Sequence, residues 1–277
     1  MHIDSLPFDL LRTIFLFVDP QDIHEKFILA SVSHRFRDAA LASALLWSSF
    51  RIASRKNAVV LPLLLRRSAE APLHVTLDVA GRSTGVPVAF ATQQNVTRRL
   101  VPHAARLETL ILYFDSNTSP DAIGPLLDSA LEFPGLRHLE LVGMLPALPV
   151  RFTAPNLRVI ELEHCQPADW TTIIVASLEV IRLRYVTDAG ILLDVFRICR
   201  AVRELELVFI DGRTARALAP LLDFRPRTLR SLTLASPGAD EDIAFVLHAL
   251  SSADIVVDAI LTNRQCAMAL LSLWRSA

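Results

Sequence analysis

A six-residue phrase recurs along the chain, and its spacing limits the fold more than any other feature. It reads "LETLIL" from Leu107, "LRHLEL" from Leu136, "LRVIEL" from Leu157, "LEVIRL" from Leu178, "VRELEL" from Val202 and "LRSLTL" from Leu229. The starts lie 29, 21, 21, 24 and 27 residues apart, a period that belongs to arrays in which one strand-containing unit stacks on the next. Alternate residues of a strand point to opposite faces, so Leu139 and Leu141, or Ile160 and Leu162, enter a core while the residues between them face outward. One such unit cannot cover its own apolar face; its neighbours do. The segments "PLHVTLDV" and "SADIVVDAIL" fit as degenerate end copies.

Between the strands, "SPDAIGPLLDSALEF", "TDAGILLDVFRICR", "DGRTARALAPLLDF" and "GADEDIAFVLHAL" have helical periodicity with Asp or Ser near their starts, which predicts an outer helical layer. The shorter connections "MLPALPVRFTAP" and "QPADWTTIIVA" are broken by proline and are expected to be extended or a single turn. "TNRQCAMALLSLWRSA" reads as a helix capping the array, with Trp274 as a lid.

The first fifty residues follow another pattern. In "LPFDLLRTIFLFV" (residues 6–18), Asp9, Arg12 and Thr13 share one arc of roughly 100° on a helix, and the apolar residues fill about 180° opposite. Pro7 suits the first turn and Asp9 the positive end of the helix dipole, and Pro20 turns the chain away from helical geometry. Helices are also expected over 23–30 and 33–41, the latter with Ser33 as N-cap. Three short helices over about forty-five residues hide one face of the first helix but hardly both. The surplus apolar face either serves a partner or caps the rest of the chain.

"LPFDLLRTIF", then "LASVSHRFRDAAL", then "LW" resembles the F-box, the helical module that docks F-box proteins on the Skp-type adaptor of cullin-RING ubiquitin ligases. The resemblance implies that Leu6, Pro7, Leu10, Leu11, Ile14, Phe15, Val32, Phe36 and Trp47 divide between adaptor contact and internal packing. In "QDIHEKFILAS", Ile23, Phe27 and Ile28 replace the leucines that the family's middle helix carries. "LPLLLRRSAEAPLHVTLDV" after "LWSSFRI" is similar to the junction in a large fungal group of F-box proteins that join the box to divergent leucine-rich repeats. Only the unit at Leu157 keeps the fuller L-x-x-L-x-L-x-x-C form, ending in Cys165. The expected organisation is α/β: a three-helix F-box over 1–50, a stiff helical junction over 51–70, and a leucine-rich-repeat-like solenoid over 71–277 with a parallel sheet and outer helices.

Composition narrows the function. With 28 basic and 29 acidic residues the formal net charge is -1, and the basic residues are scattered, which argues against a nucleic-acid partner. The thirteen-residue opening run is shorter than a membrane span of ~20 residues and carries acidic residues a signal peptide would lack, so no membrane partner is expected. Cys165, Cys199 and Cys266 show no CxxC spacing, so neither a disulfide framework nor a metal site is expected and the setting is read as reducing and intracellular, cytoplasmic or nuclear. The sequons at Asn95 and Asn117 are then chance matches.

The sequence contains no HExxH, phosphate loop or dinucleotide glycine motif, and no cofactor or catalytic residue is assigned. Cys165 beside His164 is read as a buried strand residue rather than a nucleophile, and Asp240, Glu241 and Asp242 as a helix start. The expected role is a non-catalytic subunit: the F-box engages a Skp-type adaptor and through it a cullin, and the repeats hold an unidentified protein substrate. The alternative is a repeat scaffold that joins no ligase. Candidate substrate contacts are the outward strand residues Tyr113, Glu140, Glu161, Arg182 and Glu206. Parallel stacking also sets Glu161 beside Arg182 and Glu163 beside Arg184, where they neutralise each other.

Overall fold

Side-chain caps set the boundaries of the first helices. In this computed structural model, which describes residues 6–115, 118–127, 131–148, 150–167, 169–185, 190–208, 225–235 and 256–260, α1 (Phe8–Phe15) starts behind Pro7. Pro7 has no N–H to leave unpaired at a helix start. Leu16 and Phe17 close α1 with tight i→i+3 bonds to Thr13 and Ile14. The Asp22 carboxylate accepts the N–H groups of His24 and Glu25 and opens α2 (Ile23–Val32), and the Ser33 hydroxyl accepts from Phe36 N–H and opens α3 (His34–Leu41). A single turn, α4 (Ala44–Ser48), carries Trp47 into the core.

The segment after Trp47 departs from the expected helical junction. It begins as a strand, β1 (Ser49–Ile52), because Phe50 and Ile52 alternate inward with Arg51 outward, a period-two burial that a helix cannot provide. The helix comes next, as α5 (Arg55–Arg67), capped by Ser54. It runs through Pro62, which removes one donor, while Leu61, Leu64 and Leu65 bury its inner face. β1 then pairs in parallel with β2 (Leu73–Asp78), Ser49 opposite His74 through Ile52 opposite Leu77. The end of the expected first domain is thus hydrogen-bonded to the start of the expected third.

The chain forms two compact units, Met1–His138 and Leu139–Ala277. In the first, β2 pairs in parallel with β3 (Leu107–Tyr113). Between them lies a helix the periodicity did not reveal, α6 (Phe90–Leu100), followed by a 3-10 turn at Val101–Arg106. Its polar inner residues explain why: Gln93 and Thr97 are buried with the apolar Val96 and Leu100. Thr97 donates to the carbonyl of Ala122 at 2.8 Å on α7 (Pro120–Leu127).

In the second unit the strands run in chain order, β4 (His138–Leu148), β5 (Val159–Pro167), β6 (Val180–Arg184), β7 (Glu204–Val208), β8 (Ser231–Ala235) and β9 (Val256–Ile260). The pairs from β5 to β9 are parallel and slide by whole units, setting Ile160 beside Ile181, Leu205 and Leu232. A turn introduces β5, β6 and β8: Leu157 N–H bonds Ala154 C=O, Leu178 bonds Val175, and Leu229 bonds Pro226. The first leucine of the phrase is thereby buried before the strand begins. The proline-broken connections behave as expected, with a lone 3-10 turn at Trp170–Thr172, and the outer layer includes α8 (Gly190–Ile198). The helices expected in "DGRTARALAPLLDF" and "GADEDIAFVLHAL", the capping helix with Trp274, the acidic group Asp240, Glu241 and Asp242, and Cys266 lie outside the described residues.

The loop after β2 shows how closely backbone can approach. The Asp78 carboxylate accepts the N–H groups of Arg82 and Ser83 at 2.8 and 2.7 Å, and Gly81 sits at φ +71° where a Cβ would lie 2.3 Å from the Val86 carbonyl oxygen. Gly85 has the same φ but open space around it. Gly81→Ala is therefore expected to lower unfolding free energy by at least about 2 kcal/mol more than Gly85→Ala, which meets only the left-handed backbone penalty of about 1 kcal/mol. Equal losses in urea denaturation contradict this.

Candidate functional site

Helix α1 carries two apolar stripes that the fold treats differently. Leu11 and Phe15 are sealed in the core, Phe15 against Phe36 with ring centroids 5.4 Å apart. Leu10, Ile14 and Phe17, one helical turn apart on the neighbouring stripe, are 50, 45 and 86 % exposed. Val32, Leu41 and Leu45 are also exposed.

The expected adaptor-contact set therefore splits. Leu6 is half-buried, and Pro7, Leu10, Ile14 and Val32 are exposed. Leu11, Phe15, Phe36 and Trp47 are core residues with almost no exposed surface, so of the set expected to divide between adaptor contact and internal packing these four are packed internally, and their expected adaptor contact gives way to a structural role. Burying them satisfies α1 and α3 internally; their neighbours have nothing to bury against among the described residues of this unit. Phe17, Leu41 and Leu45 were missed because each sits at or near a helix end, where periodicity is shortest.

What holds the inner set is a cluster around Trp47. Its indole N–H donates to Ala40 C=O at 2.7 Å, Phe27 meets it edge-on at 5.5 Å, and the Arg67 guanidinium of α5 stacks 4.3 Å above its ring. Lys26, next to Phe27 on α2, is fully buried. Its ammonium donates to the carbonyls of Pro20 and Ser49, tying α2 to the preceding loop and to β1. Burial lowers its pKa from the ordinary 10.5 to about 8, opposed by the nearby carboxylates of Asp19 and Asp22. Nothing in the sequence around Lys26 distinguishes it from a solvated lysine.

The candidate substrate contacts occupy other surroundings. Arg182 reaches Glu161 at 2.6 Å, Glu206 at 3.4 Å and Glu204 at 3.5 Å. Arg184 reaches Glu206 at 2.8 Å and Glu163 at 3.5 Å. The register sets Glu161 opposite Arg182 and Arg182 opposite Glu206, so the alternation of sign along the rungs is met by partners one strand away. Tyr113, in the other unit, lies under the Arg82 guanidinium at 5.3 Å, and Glu140 is half-buried.

Cys165 is buried, its thiol donating to Leu141 C=O at 3.2 Å, and burial raises its pKa to about 12. That is the chemistry of an inert core thiol rather than a nucleophile. Its neighbour His164 stacks on Tyr185 at 3.5 Å instead of approaching the sulfur as a base. Burial raises Cys199 to about 12 as well.

Residues 3–47 match the F-box domain. No curated protein matches the chain. F-box domains bind Skp-type adaptors, and the match points to a ubiquitin-ligase adaptor role in general. The matched region contains the exposed stripe of α1 and the core beneath it.

Two expectations follow. Folding lowers the Lys26 pKa, so the unfolded chain binds more protons between pH 8 and 10.5, and stability rises with pH across that window. The unfolding free energy of the unaltered chain, measured relative to Lys26→Met, should climb from about pH 7.5 to about pH 10, and a flat difference contradicts the burial of a charged amine. Arg182→Met should cost about 1–2 kcal/mol in urea denaturation by removing the cation that bridges Glu161, Glu204 and Glu206, with part recovered by adding Glu161→Gln. A loss below about 0.3 kcal/mol would mean that solvent screens the network.

Proposed function

We propose that the chain is a substrate-recruiting subunit of a Skp/cullin/F-box ubiquitin ligase. The observation that carries the reading is the coincidence of the F-box match over residues 3–47 with an exposed row of Leu10, Ile14 and Phe17. Side chains of this kind gain about 1.5–3 kcal/mol each on full burial, so these three supply up to about 4.5–9 kcal/mol against an association cost of at least ~4 kcal/mol. In this reading the adaptor shelters the outward stripe while Lys26, Phe27, Trp47 and Arg67 hold the helices in shape.

The strands from β2 to β9 are read as a divergent leucine-rich-repeat solenoid whose surface holds the protein substrate, in an intracellular, cytoplasmic or nuclear setting. Its mechanism is proximity. A cullin-bound partner supplies the ubiquitin chemistry, and this chain raises the effective concentration of substrate lysines near it. No catalytic role is assigned to its own residues. The paired charges of Glu161, Arg182 and Glu206 make them supports of that surface before contacts, with Tyr113 and Glu140 completing the proposed substrate-facing set.

The test is capture by a purified Skp-type adaptor. The unaltered chain should bind, and Leu10→Asp with Ile14→Asp should weaken binding at least about 100-fold, the loss of roughly 3 kcal/mol of apolar burial, with its circular dichroism unchanged. Absence of binding by the unaltered chain overturns the proposal and leaves a repeat scaffold outside any ligase.

A further inference from the structure

The second unit carries a cleft unconnected with the strand-face charges. It has a volume of about 780 Å³ and opens between α8 with the turn after it and the segment 225–228 that leads into β8. Phe196 and Pro226 form an apolar floor, and Leu193, 47 % exposed, stands at its edge. Arg197, Arg200, Arg225 and Arg227 line it, and among the described residues no Asp or Glu does. Among the described residues, no carboxylate pairs with Arg197, Arg200 or Arg227, whereas Arg158, Arg182, Arg184 and Arg203 all meet glutamates.

The arrangement is held in place. The Thr228 hydroxyl donates to the carbonyls of Arg200 and Val202, each at 2.8 Å, and Arg230 N–H bonds the carbonyl of Arg203. The two arginine-bearing segments, "RICRAVR" and "RPRTLR", are thereby fixed side by side on adjacent rungs. In a chain of net charge -1, the guanidinium groups of Arg197, Arg200 and Arg227 around one apolar hollow are a local excess of positive charge. Their forked donors match the paired oxygens of carboxylates and phosphates.

We infer that this cleft binds an anionic peptide segment in which an apolar side chain is flanked by acidic ones. The apolar residue fills the hollow over Phe196 and Pro226, and the flanking oxygens accept from the arginines. The inference rests on the proposed substrate-recruiting function and names the class of substrate. An isolated anion would leave the apolar floor wet, and a nucleic acid would call for basic groups beyond these two short segments. Carboxylate and phosphate share the recognised chemistry, and the measurement separates them.

Fluorescence anisotropy on the full chain without adaptor would use four labelled peptides with one central phenylalanine. Their flanks are four glutamates, four glutamines, two phosphoserines with two glutamines, or four lysines, and a ten-nucleotide single-stranded RNA is the fifth probe. The glutamate or phosphoserine peptide should bind at least tenfold more tightly than the glutamine peptide, and the stronger of the two identifies the anion. Arg197→Ala with Arg227→Ala should weaken that binding at least tenfold with adaptor capture unchanged. Arg197→Glu with Arg227→Glu should shift preference to the lysine peptide, which a loss of folding cannot do. Equal binding of the glutamate and glutamine peptides, indifference to the arginine changes, or tighter binding of the RNA than of every peptide overturns the inference. Adaptor capture, measured separately, reports on the ligase reading itself.

Discussion

The packing of Trp47 against Phe27 and Arg67, together with the buried ammonium of Lys26, is the constraint on which the front of the molecule depends. A helical bundle of this size has too little interior to stabilise itself by area alone. Here the interior is extended by joining it to a sheet: Lys26 bonds Ser49 C=O, and Ser49 is the first residue paired to β2. Fixing the inner stripe in this way leaves the outer stripe of α1 exposed, with no counterpart among the described residues of its own unit. Exposed apolar residues arranged along one helix face are the geometry that a docking surface requires.

The second unit solves a related problem by repetition. Strands β4 to β8 bury alternate leucines or isoleucines, and the outward charges repeat out of phase, glutamate on β5, arginine on β6, glutamate on β7. The half-buried network around Arg182 joins three rungs, so that face is stitched rather than open. The cleft beside α8 differs in kind, because its arginines face a hollow instead of a row of carboxylates.

The strands were legible because each phrase couples two periodic signals, alternation within the strand and recurrence between units. Both reflect burial, and burial is what the structure shows at Leu157, Leu178, Val202 and Leu229. Three things escaped. β1 hides in "SSFRI", too short for alternation to stand out, and is recruited by β2 through long-range pairing. α6 turns Gln93 and Thr97 inward, which breaks the apolar stripe that marks a helix. The division of α1 was beyond the sequence, because Leu10 and Leu11 are chemically identical and only the position of α3 decides which is sealed. The arginine cleft is written in two segments twenty-five residues apart and becomes one site only when adjacent rungs meet.

Hydroxyl-radical footprinting of the isolated chain, at a concentration where it is monomeric, addresses the account most directly. Leu10, Ile14 and Phe17 should oxidise readily while Leu11, Phe15 and Trp47 resist. If the first three prove as protected as the last three, the chain covers this face itself, and the physical case for an adaptor-docking surface fails.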